Sequence, residues 1–358
     1  MKIVKLLAAT LVAAAMGVSA SADAPKDKAK GGFIYVGPTG DHGWTYRHDI
    51  GRQQVEEAYG DRVETTFVES VPEGADAERV LTQMALQGAD IIFATSFGYM
   101  DPVINVAKKF PNVKFEHATG YKQSENAANY GLKLYQARHV QGIIAGMMTK
   151  TNTICYIASF PIPEVMREIN TFYLGAKKMN PDVDLKITWV YTWYDPGKEK
   201  DAAVAMIQQG CDIVAQHTDS PAPLQAAEEA GVLGFGQASD QMKFAPNAQL
   251  TATIDNWGPY YIRKVGQVLD GTWETGDYFG HMNEGAVQMA PFANMPADVQ
   301  AEAQRVKDAI SAGELFGFTG PINKQDGTPF LAEGEVATRQ QLDTMMFYVE
   351  GITSQVPG

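Results

Sequence analysis

Two stretches of this chain are versions of each other. "MALQGADIIFA" from Met84 and "MIQQGCDIVAQ" from Met206 align without a gap, pairing Gln87 with Gln209, Gly88 with Gly210 and Asp90 with Asp212. Each copy reads as the end of an amphipathic helix, a glycine stop and a short apolar strand. A unit used twice predicts two similar lobes rather than one continuous core, and 358 residues of which 45% are hydrophobic suffice for both.

The rest of the pattern agrees with a duplication. Strand candidates fall at 33–37, 63–68, 90–95, 113–117 and 130–135, then at 153–159, 185–191, 211–216, 232–236 and 250–254. Helix candidates lie between them, at 76–87, 102–110, 139–149, 166–179, 198–209 and 221–230. Strands alternating with helices of this length predict an α/β fold of two doubly wound parallel-sheet lobes. In such lobes ligands bind beyond the carboxyl ends of the strands, where helix amino termini and loops converge.

The first residues differ in kind. Lys2 and Lys5 precede an apolar run from Leu6 to Val18, and Ala20 and Ala22 then form an A-x-A site, so residues 1–22 read as a cleaved signal peptide. No cysteine sits near that site to carry a lipid, and the expectation is a periplasmic protein preceded by a short flexible leader, "DAPKDKAK". The chain has 29 basic and 42 acidic residues; without Lys2 and Lys5 the balance is 27 against 42, or −15. Such acidity argues against nucleic acid or an anionic membrane as a partner. Cys155 and Cys211 both lie in strand candidates, and either a disulfide or two buried thiols fits.

The segments that follow the strands carry the chemistry. They place Asp41 and Trp44 in "GPTGDHGWTY", Phe97 and Asp101 after the third strand, Phe160 to Glu164 after the sixth, and Trp193 to Asp195 after the seventh. His217 to Asp219, Asp240, and Asp255 with Trp257 follow in the same way. A pair of indoles can sandwich a planar ring, and carboxylates beside them accept hydrogen bonds from ring N–H or sugar O–H groups. Trp44 and Trp193 fit that use, whereas Trp189 and Trp273 read as core. The six histidines show no metal-binding spacing, and no nucleophile elbow, Walker loop or dinucleotide fingerprint is present, so neither metal nor cofactor is expected. A hydrolase acting on nucleosides through Asp41, Asp219 or Asp240 is the reading from a different class.

The turn "GDHGWT", the segment "MTKTNTICYIASFPIPEVMREINTFYLGAKKMNP", the stretch "YTWYDPGKEKDAAVAMIQQGCD" and "GFGQASDQMKFAPNAQLTATI" together resemble the basic membrane protein family of substrate-binding proteins for ABC importers. The resemblance runs over nearly the whole chain after the leader. It implies the type I periplasmic binding fold, joined by a three-strand hinge, and a purine nucleoside as ligand. By position it implies Asp41 as the first ligand carboxylate, Trp44 and Trp193 as stacking aromatics, and Asp240 on the ligand's polar edge or ribose. Thr45 stands where the family carries asparagine, and Asp101 matches the aspartate after the third strand. Asp255 stands where nucleoside-binding relatives carry a lysine. Exchanging a donor for an acceptor removes a sugar contact, with Trp257 close enough to fill the sugar's space. A free base such as adenine is therefore expected at least as much as a nucleoside.

The resemblance further implies three crossings between lobes, placed near 135–139, 250–254 and 278–287. Lobe I then holds 31–137 and 253–280, and lobe II holds 138–252 and 281–358. It also implies an ABC permease with its ATPase as partners, and a monomer that closes on its ligand. A sugar-binding or sensor protein of the same fold is the alternative within binding. The stretch 294–312 reads as a helix and "GFTGPINKQDGTPFLAEGE" as a turn-rich hairpin, neither with an evident ligand role.

Overall fold

The computed structural model describes residues 24–357; the expected signal peptide lies outside the described residues. β1 (Ala29–Ile34), α1 (Trp44–Tyr59), β2 (Val63–Val68), α2 (Ala75–Leu86), β3 (Ile91–Ala94), α3 (Met100–Ala107), β4 (Lys114–Ala118) and β5 (Ala127–Leu132) alternate through the first lobe. The second lobe begins with α4 (Tyr135–Met148), β6 (Thr153–Ala158), α5 (Pro163–Met179), β7 (Asp184–Trp189) and α6 (Pro196–Gln208). It continues with β8 (Ile213–Gln216), α7 (Ala222–Ala230), β9 (Leu233–Gly236) and β10 (Gln249–Asp255). The chain then returns to the first lobe as α8 (Gly258–Asp270), packed on α1, and β11 (Asp277–Gly280). It ends with β12 (Val287–Met289), α9 (Ala297–Ser311), the hairpin β13 (Ile322–Asn323) and β14 (Pro329–Leu331), and α10 (Arg339–Asp343).

The two large sheets share one strand plan, β2-β1-β3-β4-β5-β11 and β7-β6-β8-β9-β10-β12. Their pairings are parallel except the last of the second sheet, where β12 runs antiparallel to β10. β3 and β8 are buried along their whole length because helices cover both faces, which is why they read as unbroken apolar runs. The repeated motif has a repeated function in the architecture. Gly88 and Gly210 both take positive φ, 84° and 99°, where a side chain would be strained, and so turn each helix into its strand. Asp90 then accepts Lys30 N–H at 2.7 Å, while Asp212 accepts Lys150 and Thr151 N–H at 2.5 and 2.9 Å. Each aspartate thus ties down the segment at the start of the neighbouring central strand.

Three short connections join the lobes: 133–134, 256–257 and 281–286. The first falls earlier than the apolar run 130–135 suggests, because Leu134 and Tyr135 open a helix instead of extending a strand. The second falls later than 250–254, since Thr253 to Asp255 stay paired with β12. The leader is shorter than expected, for Lys26 N–H bonds Leu269 O at 2.7 Å and Ala29 already pairs with Val63. Trp273 is buried with its Nε1 donating to Glu116 at 2.7 Å, and half-buried Trp189 donates to the Tyr348 hydroxyl at 3.0 Å, so both serve packing.

Cys155 and Cys211 form a disulfide, buried between β6 and the turn into β8. It closes a loop of 56 residues, and restricting the unfolded chain to that loop stabilises the fold by roughly 2–4 kcal/mol. Replacing both cysteines by alanine should lower the unfolding free energy by that amount in urea titrations without changing ligand binding. An unchanged midpoint would show that the bridge contributes nothing.

Candidate functional site

The carboxyl ends of the two sheets face each other across one narrow cavity. From the first lobe come Val36, Trp44, Ser96, Phe97 and Thr119, which follow β1, β3 and β4; from the second come Ile162, Glu164, Trp193, His217, Asp219 and Gln237, which follow β6 to β9. Every one of these residues lies in a post-strand segment, the position that parallel sheets reserve for ligands.

The lobes are closed on each other. The carbonyl of His42 accepts from the Ser239 hydroxyl and from Gln241 Nε2 across the cleft, the latter at 3.2 Å. Arg47 Nε donates to the Asp255 carbonyl at 2.7 Å. Gly43 marks a close backbone approach, since a Cβ there would lie 2.2 Å from the carbonyl oxygen of Asp219.

Trp44 and Trp193 reach the cavity from opposite lobes. Trp44 is oriented by a 2.7 Å hydrogen bond from Nε1 to Thr95 O and by edge-on contacts with His48 and Trp257, at 4.6 and 5.2 Å between ring centroids. His48 stacks on Trp257 at 4.5 Å, and its Nδ1 meets the Tyr261 hydroxyl, which in turn bonds Tyr130. The indole of Trp44 therefore rests on a rigid aromatic layer. Trp193 packs on Phe160 at 5.1 Å and leaves its Nε1 without a protein partner.

The cleft is rich in buried acceptors. Asp219 Oδ2, Glu164 Oε1 and both carboxylate oxygens of Asp255 are buried without a protein partner, an arrangement that costs about 1–3 kcal/mol per group until something donates to it. Burial, reinforced by Asp41, Glu199 and Asp255, raises Asp219 well above the usual carboxylate range. Burial, with Glu168 adding to it and Arg47 and Arg138 opposing, pushes Asp255 up to about 8. Burial likewise pushes Glu164 up to about 8, against the pull of Arg167. His217 moves the other way, to about 4, because its burial disfavours the charged ring.

The residues singled out from the sequence divide into three groups. Trp44, Phe97, Trp193 and Asp219 line the cavity. Asp255 and Trp257 are fully buried beside it; the charge of Asp255 acts on Asp219 and Glu164, and Trp257 backs Trp44. The other four are engaged elsewhere. Asp41 caps the start of α1, accepting Gly43, Thr45 and Tyr46 N–H at 2.8, 3.0 and 3.0 Å, and the Thr45 hydroxyl accepts Gly37 N–H at 3.2 Å. Asp101 is on the surface, paired with Lys122 at 2.6 Å. Asp240 is exposed and accepts from Met242 N–H and Gln249 Nε2 at 3.0 and 2.8 Å. An acid–base set built on Asp41 and Asp240 therefore does not assemble. Glu164, His217 and Gln237 belong in the cavity although their residue types did not single them out; their place directly after strands was the available signal.

The family model described as "ABC transporter substrate-binding protein PnrA-like" matches residues 28–315. A purine-binding protein of Brucella abortus is 53% identical over 352 residues, covering 98% of this chain and all of its own. A putative ABC transporter glucose-binding protein of Haloferax volcanii is 37% identical over 325 residues, covering 91% of this chain and 80% of its own. Among solved structures, an ABC transporter solute-binding protein from Aeropyrum pernix has a TM-score of 0.71 at 19% identity, over 88% of this chain and 96% of that one. That likeness establishes the periplasmic-binding fold that the sequence suggested. The family and these two relatives are substrate-binding proteins rather than enzymes. By the extent of the match and by its fold, the chain belongs to the Bmp family of ABC transporter substrate-binding proteins.

Proposed function

We propose that this protein captures a purine in the periplasm, after removal of a signal peptide, and delivers it as a monomer to an ABC permease and its ATPase. The observation that carries the reading is one closed cavity with an indole from each lobe and buried carboxylates that lack donors. The indoles offer flat apolar faces to a planar heterocycle, and Asp219 and Glu164 offer acceptors to its N–H groups. The purine-binding relative, at 53% identity over its full length, supports the same ligand class. A free base such as adenine suits the site at least as well as a nucleoside, because Asp255 stands where nucleoside-binding relatives carry a lysine donor and the bulk of Trp257 is buried close by.

The mechanism follows from closure. An open cleft keeps the carboxylates hydrated. Bringing the lobes together dehydrates them, and a ligand with N–H donors replaces the lost water. The ligand favours the closed form by the difference in its affinity for the two states.

Calorimetric titration with adenine, guanine, hypoxanthine, their nucleosides and glucose should show saturable binding of at least one purine, tighter than glucose; no heat from any purine would overturn the proposal. Trp193→Ala and Trp44→Ala should each weaken that purine by roughly 1–3 kcal/mol, and an unchanged isotherm would remove the residue from the site. Gly43→Ala should leave the melting temperature unchanged yet hold the lobes apart, since its Cβ meets the Asp219 backbone. The radius of gyration from solution scattering should then stop contracting on ligand addition, and affinity should fall at least about tenfold, or 1.4 kcal/mol. A variant that still contracts would show that this contact does not govern closure.

A further inference from the structure

Among the acceptors of the cleft stands a side chain whose polarity is set from behind. Arg138, in the first turn of α4, has no exposed surface. Its guanidinium donates to Glu168 Oε2 at 3.0 Å, Gln141 Oε1 at 2.9 Å, the Gln216 carbonyl at 2.8 Å, and Gln237 Oε1. The Thr253 hydroxyl approaches the same Gln237 oxygen at 3.5 Å. Gln216 and Gln237 end or follow β8 and β9, so one buried cation ties together the tips of two adjacent strands at the cavity.

A guanidinium has donors and no acceptor, so the amide atom of Gln237 that faces Arg138 has to be oxygen. Turning the amide over would set its NH2 against an N–H fork in a medium of low dielectric, while removing an acceptor from a buried cation. Gln237 is 1% exposed and lines the cavity. With its oxygen held at the back, the group left for a ligand is the NH2. The carboxyl groups of Asp219 and Glu164, which line the cavity, ask for donors on the ligand; Gln237 asks for an acceptor.

We propose that Arg138 locks Gln237 with its amide NH2 toward the ligand, making Gln237 a specificity-determining donor that selects purines carrying a hydrogen-bond acceptor at the matching position. Arg138 is a positioning residue, reaching the ligand only through the amide it orients. The inference rests on the purine reading and adds to it a polarity at one point of the ring.

The test uses the full-length mature protein and the tightest-binding of adenine, guanine and hypoxanthine, together with analogues in which one acceptor at a time is removed: ring nitrogens replaced by CH, and the exocyclic oxygen, where present, deleted. Wild type should lose about tenfold in affinity for one analogue through this contact, the loss expected for one neutral hydrogen bond. Gln237→Glu, which keeps an acceptor against Arg138 but has no NH2, should bind the parent purine about tenfold more weakly and no longer distinguish it from that analogue. Gln237→Met should do the same, so the result does not depend on the added charge. A merely structural role would weaken all analogues alike and leave the wild-type discrimination intact, which would overturn the inference while the purine reading stands. Arg138→Lys keeps the charge without the fork and should reduce the discrimination below about threefold; full discrimination in that variant would overturn the part assigned to Arg138. If no purine binds wild type, the proposed function fails and this inference fails with it.

Discussion

Taking Asp219, Asp255 and Glu164 out of water is the constraint around which the cleft is organised. Each of these carboxyl groups retains oxygen without a protein donor, and the protein does not place a full set of cations against them. Arg47 and Arg138 act on Asp255 and Arg167 on Glu164, yet burial still dominates and all three groups are pushed above the usual carboxylate range. A closed cleft of this kind is costly when it holds nothing that donates. The same cost makes closure conditional, because a ligand that supplies N–H groups removes it and an apolar ligand of the same size does not.

The remaining parts of the site supply rigidity. Trp44 is backed by His48, Trp257, Tyr261 and Tyr130, a layer whose rings and hydroxyls contact one another and leave the indole little freedom. On the second lobe Arg138 does the corresponding work with charge, holding the ends of β8 and β9 in register. The lobes meet where the Ser239, Gln241 and Arg47 side chains reach backbone carbonyls and where Gly43 meets the Asp219 backbone, an approach that leaves no room for a side chain at the glycine. A ligand thus meets two preformed half-sites and has only to bring them together.

Much of the fold was legible because its signals are local. The helix–glycine–strand unit recurs with its aspartate, and the structure shows why: Asp90 and Asp212 each anchor the approach to a central strand, so the same residues meet the same need in both sheets. The boundaries that differ from the sequence pattern lie where apolar runs are ambiguous. Leu134 and Tyr135 extend an apolar segment in the sequence but start α4, since periodicity over so short a run does not separate strand from helix.

The candidate site was legible in part for the same reason. From residue type and post-strand position alone, the sequence determined the class of fold, the end of the sheets that holds the cleft, and Trp44, Trp193 and Asp219 as residues facing it. Only the tertiary structure decided how each carboxylate is used. Asp41 is consumed by three N–H groups of its own helix start, Asp240 is taken up by Met242 N–H and the Gln249 amide, Asp101 pairs with Lys122 on the surface, and Asp255 is left bare in the interior. Likewise nothing in the sequence near Gln237 announces an arginine ninety-nine positions away behind it. Whether a polar side chain is satisfied, exposed or orphaned depends on partners brought by distant segments, and a linear sequence carries the identity of a group but not what stands opposite it.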